Sequence, residues 1–196
     1  QAKSIFMKHN LLLTPGPTPV PPEVLRVMAE PIFHHRTPRY RELFRSVSEM
    51  LKTVFCTARN VYTFTGSGTL AMEASIVNFL SPGDKVITLE AGKFGERWSE
   101  IAKRYSLNLV SLKAPYGDVV TPAQVEQALK LHLDAKAVYG THCETSTGAL
   151  FDIEAIAKLV SKTNAIFVVD AISSLAADRL EMDLWKIDVV VSGSQK

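Results

Sequence analysis

Short apolar runs alternate with amphipathic helical patterns along most of the chain, and this alternation constrains the fold more than any other feature. The predicted strands cover residues 61–65, 85–89, 107–112, 137–140, 165–169 and 187–191. The predicted helices between them cover residues 69–80, 95–105, 121–131 and 152–161. Strands that are apolar throughout belong to a parallel sheet covered on both faces. The pattern therefore predicts a doubly wound, three-layer α/β/α fold.

The N-terminal part of the chain has a different composition. Residues 11–22 read LLLTPGPTPVPP, and this density of proline excludes a regular helix or a central strand. We therefore expect residues 1–22 to form an extended arm that lies on the body of the fold, and residues 23–196 to form one large domain. Helical patterns at residues 23–29 and 40–55 begin that domain.

Charge and cysteine content exclude several classes of protein. The 22 Lys and Arg residues nearly balance the 20 Asp and Glu residues, so the net charge of +2 favours neither nucleic acid nor an anionic membrane as a partner. No apolar run reaches the roughly 18 residues that a membrane span requires. Cys56 and Cys143 lie far apart and form no metal-binding pair, which is typical of reduced thiols in a cytoplasmic protein without a metal.

Polar residues follow several predicted strands, at the sheet edge where α/β proteins bind ligands. Gly66-Ser67-Gly68-Thr69 opens a helix, where N–H groups and hydroxyls suit a phosphate. Asp170 ends a buried strand and suits a protonated ring nitrogen, whereas Lys196 follows the last strand, where a desolvated amine is a nucleophile. The hydroxyls of residues 144–148 follow another strand. Each feature also fits an ordinary turn, cap or surface residue, but together they are the groups that pyridoxal phosphate requires.

The sequence resembles a known family, the class V aminotransferases. These belong to the fold-type I pyridoxal-phosphate enzymes, and the resemblance is to their alanine–glyoxylate and serine–pyruvate group. The matching motifs are LLLTPGPTPVP, HRTPRY, TGSGTLAMEA, SPGDKV, ETSTG, VVDAISS and SGSQK. They keep the family's order and spacing across residues 11–196, so the joint match is specific although no single motif is.

The resemblance assigns roles around the cofactor ring. Lys196 would form the Schiff base with pyridoxal phosphate and then act as the base that moves the substrate proton. Asp170 would keep the pyridine nitrogen protonated. Ile172 would pack against one face of the ring, and Phe94 would stack on the other unless it is simply a core residue.

The resemblance also assigns phosphate and substrate contacts. The expected phosphate ligands are Ser67, Gly68, Thr69 and Gln195. Thr145 would donate a hydrogen bond near the phenolate oxygen of the cofactor, or cap its own turn. Gly16 would line the substrate pocket through its backbone. Arg36 would reach an anionic substrate or a phosphate, with an ion pair at the surface or at a dimer interface as an equal alternative.

The activity implied by the resemblance is transamination between a small amino acid, such as alanine or serine, and a 2-oxo acid, such as glyoxylate or pyruvate. The first alternative is a class V lyase such as a cysteine desulfurase. That branch places His before the Schiff-base Lys, where this chain has Gln195, and Gln shortly after the ring Asp, where it has Ser173-Ser174. The second alternative is a non-catalytic interaction subunit, against which the presence of both Asp170 and Lys196 argues.

The resemblance further implies a homodimer with active sites at the subunit interface. The apolar stripe at residues 40–55 is compatible with a dimer face, and core packing would explain it equally well. Members of the family continue past the Schiff-base Lys with more sheet and a small C-terminal domain. We therefore expect residues 23–196 to be the incomplete cofactor-binding domain of a longer enzyme.

Overall fold

The fold is built around one parallel sheet, which a computed structural model describes together with the rest of residues 12–196. Residues 1–11 of the expected N-terminal arm lie outside the described residues. The five strands of the sheet are β1 (Lys85–Glu90), β2 (Asn108–Lys113), β3 (Ala137–Thr141), β6 (Ile166–Asp170) and β7 (Val189–Val191). Their order is β2-β1-β3-β6-β7, and every neighbouring pair is parallel. A small antiparallel hairpin joins β4 (Cys143–Glu144) to β5 (Ala149–Leu150).

Seven helices accompany the strands of the described chain. They are α1 (Pro22–Met28), α2 (Pro38–Val54), α3 (Gly68–Val77), α4 (Lys93–Arg104), α5 (Pro122–Leu131), α6 (Ile153–Val160) and α7 (Met182–Trp185). None of the helices in residues 12–196 combines the length and the apolar character needed to cross a lipid bilayer.

Both faces of the sheet are buried. Successive side chains of a strand point to opposite faces, and each set packs in its own hydrophobic cluster. Val86 of β1 packs in the cluster that contains Trp98 of α4 and Ile76 of α3. The next residue, Ile87, packs in the cluster that contains Val125 of α5 and further residues of α6 and α7. The predicted three-layer architecture is confirmed.

The start of α5 follows from three residues. The Thr121 hydroxyl accepts the N–H of Gln124, and the Gln124 side chain accepts the N–H of Thr121 at 2.8 Å, which forms a capping box with Pro122 in the first turn. At α6, the Asp152 carboxylate accepts the N–H of Ala155 at 3.0 Å. Both predicted helix starts are confirmed.

One predicted strand is wrong. Residues 61–65 form no strand, and the side chains of Tyr62 and Phe64 are 73% and 59% exposed. The β-branched and aromatic composition of this segment favours extended backbone, but a strand also needs a hydrogen-bonded neighbour, and no strand of the described chain pairs with it. The hairpin β4–β5 and helix α7 were not predicted, since elements of two and four residues show no periodicity.

The strand order places a topological switch point between β1 and β3. From β1 the chain passes through α4 on one face of the sheet to β2, and then returns through α5 on the other face to β3, on the far side of β1. The connections therefore diverge at the carboxyl ends of β1 and β3, which opens a crevice there. Residues 92–95 follow β1, and residues 142–146 follow β3, so both segments border this crevice.

Candidate functional site

The Lys196 amine lies among groups contributed by three other segments. Its Nζ donates hydrogen bonds to Thr145 Oγ1 at 3.1 Å and to Ser173 Oγ at 3.0 Å, and these two hydroxyls also hydrogen-bond to each other. The centre of the Phe94 ring is 5.0 Å from the same Nζ. Thr145 lies in the β4–β5 turn, Ser173 follows β6 and Phe94 follows β1. The ends of three separate strands therefore meet around one amine.

Gly16 brings the N-terminal segment against the stem of this lysine. A Cβ atom at Gly16 would lie 2.5 Å from Lys196 Cγ, so any side chain there would displace the lysine. Two residues further on, the Thr18 N–H donates to the backbone carbonyl of Gln195 at 3.3 Å. The close approach explains why glycine stands at position 16.

Asp170 ends β6 as a buried carboxylate. It is 2% exposed, and its Oδ1 accepts the N–H of Ile172 at 2.9 Å. Burial raises the pKa of Asp170 to about 6, although the Ile172 N–H and the Lys196 ammonium oppose the increase. A cationic hydrogen-bond donor would stabilise the ionised form of this buried carboxylate, because it would offset much of the free-energy cost of burying the charge.

The N-terminus of α3 opens toward the carboxyl end of β6. Ser67 precedes the helix in an extended conformation, and its hydroxyl makes no capping bond. A Cβ atom at Gly68 would lie 3.1 Å from Ile172 Cγ1 and closer still to Ile172 Cδ1. A side chain at position 68 would have to displace the end of Ile172, and the first N–H groups of the helix lie beside that contact.

Arg97 of α4 connects this helix start to the aromatic ring. Its Nη1 donates to Thr69 Oγ1 at 3.2 Å, and its guanidinium carbon lies 5.3 Å from the centre of the Phe94 ring. A cation over an aromatic face is attracted to the ring quadrupole. Arg97 therefore links a predicted phosphate ligand to a predicted stacking residue.

Two predicted site residues lie apart from the cluster around Lys196, which comprises Lys196, Thr145, Ser173 and Phe94. Arg36 is exposed in the turn before α2, and its backbone N–H donates to His34 Nδ1 at 3.1 Å. The side chain of Gln195 is exposed, and only its backbone carbonyl is bonded, to Thr18. Within residues 12–196 no hydrogen bond joins either side chain to the cluster around Lys196, so their roles stay predictions.

Three residues of the site were not predicted to belong to it: Ser173, Arg97 and Glu144. Glu144 is fully buried beside the start of α4 and accepts the N–H groups of Phe94 and Gly95. Ser173 lies in the VVDAISS motif, and a search for hydroxyls directly after each buried strand would have found it. No pattern in the sequence indicates Glu144 or Arg97, because their partners lie 28 to 50 residues away along the chain.

Histidine, cysteine and carboxylate side chains of residues 12–196 form no group of three or more that could hold a metal ion.

The family model for class V aminotransferases matches residues 11–196. The chain belongs to this family. It is 44% identical over 187 residues to a chain of Methanocaldococcus jannaschii named as an uncharacterized aminotransferase, with 95% of this chain and 49% of the relative covered. It is 35% identical to the L-aspartate–glyoxylate aminotransferase of Paracoccus denitrificans, with 96% of this chain and 49% of the relative covered.

The structure is similar to that of an alanine–glyoxylate aminotransferase from Nostoc sp., with a TM-score of 0.91 at 32% identity. That similarity covers all of this chain and 52% of the other. The fold is therefore the large-domain fold of the fold-type I aminotransferases, as predicted. The chain spans about half the length of the curated relatives it matches.

Proposed function

We propose that the full-length protein is a pyridoxal-phosphate-dependent aminotransferase. It would transfer an amino group from a small amino acid, such as alanine or serine, to a 2-oxo acid, such as glyoxylate or pyruvate. The observation that carries the proposal is the Lys196 amine held by two hydroxyls beside the Phe94 ring. Family membership supports the reaction type, and the names of the Paracoccus and Nostoc relatives support glyoxylate as the acceptor.

The residues present fit the cofactor. Asp170 is a buried carboxylate with a raised pKa, which suits the N–H of a pyridinium ring. Gly16 and Gly68 leave space where a Cβ atom would collide with Lys196 and Ile172. When bound, pyridoxal phosphate supplies an aldehyde that exchanges amino groups and a ring that accepts an electron pair.

Each residue of the site would have a separate role. Lys196 would bind the aldehyde and, once released as a neutral amine, accept the proton from the Cα atom of the substrate. Thr145 and Ser173 would keep that amine within reach of Cα. Asp170 would accept the pyridinium N–H, and Phe94 with Ile172 would hold the two faces of the ring.

The remaining predicted contacts belong to the same proposal. The phosphate would be held at the start of α3 by Ser67, Gly68 and Thr69, with Gln195. Gly16 would line the substrate pocket. Arg36 would bind an anionic substrate or a phosphate, or would form an ion pair at the surface or at a dimer interface. We expect no resident metal.

We also propose a homodimeric enzyme of the cytoplasm. Helices α1 and α2 have no buried residue among the described chain, and their apolar side chains leave a broad uncovered face. A second copy of the protein would cover that face. The expected compartment rests on the composition and on the two separate cysteines.

The test is Lys196→Ala in the full-length protein, with Lys158→Ala as the matched control, because Lys158 is an exposed residue of α6 whose ion pair in the described chain is with Glu154. The wild type and the control should take up pyridoxal phosphate with a visible absorption band, and mixing with L-alanine should convert that band to the pyridoxamine form. Lys196→Ala should lose the band and at least about 100-fold in turnover.

The two alternative functions, a class V lyase and a non-catalytic subunit, predict different results in the same assay. Release of sulfide from cysteine without formation of pyridoxamine phosphate would indicate the lyase. A wild-type protein that stays colourless after addition of the cofactor would overturn the proposal and favour a non-catalytic subunit.

A further inference from the structure

Glu144 is the most completely buried carboxylate near the site, with no exposed surface. Its Oε2 accepts the backbone N–H of Phe94 at 3.1 Å and that of Gly95 at 3.0 Å. Its Oε1 accepts the N–H of Ser146 at 3.1 Å and the Ser146 hydroxyl at 2.7 Å. One side chain thus receives donors from two segments that are fifty residues apart and that border the crevice between β1 and β3.

These bonds replace a missing helix cap. The residue before α4 is Gly92, which has no side chain to accept the free N–H groups of the first turn. The Ser146 hydroxyl accepts the N–H of Lys93 at 3.1 Å, so Glu144 at the end of β4 and Ser146 in the turn after it together satisfy the first three donors of α4. A Cβ atom at Gly92 would lie 2.5 Å from Glu144 Cδ, so glycine at this position admits the carboxylate.

The charge of Glu144 is balanced by dipoles rather than by a cation. Within residues 12–196 no Lys or Arg forms an ion pair with it, and its partners are the N–H groups and the hydroxyl named above. Negative charge at a helix N-terminus is stabilised by the helix dipole, and the hydrogen bonds that a carboxylate accepts from backbone N–H groups are stronger than those between neutral groups. The geometry of the contact therefore depends on a group with four acceptor positions and no donor.

The two segments joined in this way carry two groups that surround the lysine. Phe94 is the second residue of α4, and its ring centre lies 5.0 Å from Lys196 Nζ. Thr145 directly follows Glu144, and its Oγ1 lies 3.1 Å from the same Nζ. We infer that Glu144 is a positioning residue, which touches neither Lys196 nor the substrate and fixes the Phe94 ring and the Thr145 hydroxyl on two sides of the amine.

This inference rests on the proposed function, since it concerns the alignment of the transamination site. It predicts that loss of the carboxylate moves Phe94 and Thr145 relative to Lys196 even when the fold survives. Displacements of about 1 Å in a catalytic site can lower rates by up to roughly 100-fold.

The experiment compares Glu144→Gln with Asp152→Asn in the full-length protein. Both variants convert a helix-capping carboxylate to an amide, but Asp152 caps α6, which contributes no residue to the cluster around Lys196. In Glu144→Gln an amide group would face backbone donors. Hydrogen exchange at Phe94, Gly95 and Ser146 in the cofactor-free protein should become faster in Glu144→Gln and stay unchanged in Asp152→Asn.

The same pair of variants is then compared with cofactor bound. Glu144→Gln should lower kcat with L-alanine by roughly tenfold or more, with little change in KM, and should alter the visible circular dichroism of the cofactor. Asp152→Asn should change neither. Glu144→Asp keeps the charge and should recover part of both signals, and it carries the test if Glu144→Gln does not fold.

Two results would overturn the inference. One is hydrogen exchange at Phe94 and Gly95 that is no faster in Glu144→Gln than in Asp152→Asn, which can be measured whatever the enzyme's activity. The other is faster exchange with unchanged kcat and circular dichroism, which would make Glu144 a purely structural residue. The proposed function is judged separately, on the wild-type protein alone, so the two failures are distinguishable.

Discussion

Asp170 is the residue whose ionisation depends most on its surroundings. Burial raises its pKa from 3.8 to about 6, so the folded protein holds the proton of this carboxyl more tightly than the unfolded chain does. A shift of this size corresponds to roughly 3 kcal/mol. As pH rises from about 4 to about 6, the unfolded chain releases its proton first, and the folded state loses stability. Above pH 6 the full cost of the buried charge is present until a cation pairs with it.

We predict that Asp170→Asn removes this pH dependence from the cofactor-free protein. The free energy of unfolding of the variant, minus that of the wild type, should increase by about 2 kcal/mol between pH 4 and pH 7, because the unfolded carboxyl has already lost part of its proton at pH 4. Urea denaturation of the full-length apoprotein at several pH values measures the difference. The variant should also bind pyridoxal phosphate more weakly, because the pyridinium N–H loses its carboxylate.

Asp183 provides the control with the opposite sign. Hydrogen bonds from the Thr57 hydroxyl and the Ala58 N–H lower its pKa, so its contribution to stability is present above its unfolded pKa and is lost as pH falls. Asp183→Asn should therefore cost stability at pH 7 and little at acidic pH. A difference for Asp170→Asn that stays constant across the range would contradict the proposed ionisation of Asp170.

Helix α5 is the element whose boundary depends most directly on its own residues. We predict that Thr121→Ala lowers the free energy of unfolding by about 1 kcal/mol, because the capping box loses its acceptor for the Gln124 N–H. Denaturant unfolding measures the loss, and the control is Glu126→Gln on the exposed face of the same helix. Turnover at a temperature where both proteins stay folded should be unchanged, and a selective loss of turnover would show that α5 influences the site.

Local signals explain which elements the sequence predicts well. The starts of α5 and α6 are determined by caps within a few residues, and β1, β3 and β6 are apolar runs that need only burial on both faces. Residues 61–65 have the composition of a strand, but a strand also requires a neighbour, which composition does not specify. The hairpin β4–β5 depends on the turn of residues 145–148 and is too short to show alternation.

The site is predictable to a smaller extent, because its contacts depend on the order of the strands. Asp170 and Lys196 are indicated by their positions after buried strands, whereas the role of Phe94 comes only from the resemblance to a family. The contact between Ser173 and Lys196 requires that β6 and β7 be neighbours, and the contact between Glu144 and Phe94 requires the crevice between β1 and β3. Sequence patterns specify each strand separately, whereas these pairs appear only when the sheet is assembled.

The molecule as a whole has an apolar region around α2 that the described chain leaves uncovered. Over the seventeen residues of α2 no side chain is buried, and Phe44 and Met50 are 49% and 59% exposed. Nearby in sequence, Ile32 is 99% exposed. Core packing among the described residues therefore does not explain the stripe of α2, and apolar surface of this extent is typical of a face that another part of the protein or a partner covers.

We predict that Phe44→Glu weakens the proposed homodimer of the full-length protein, because a charge would have to be buried between the subunits. Sedimentation equilibrium should give a dissociation constant at least about tenfold higher than that of the wild type. Leu133→Glu is the matched control, since Leu133 is 85% exposed in the loop after α5, away from α2. A Phe44→Glu protein that remains dimeric but unfolds more easily would mean that the rest of its own chain covers α2.

The order of the strands along the chain has a consequence for the protein while it is being synthesised. Phe94, Thr145 and Asp170 all leave the ribosome before Lys196, which follows β7. Chains begin to fold from the N-terminus during synthesis, so the Lys196 amine is the last of these groups to join. Docking of β7, a single three-residue strand, on β6 is therefore the step that brings Lys196 to its hydroxyl partners.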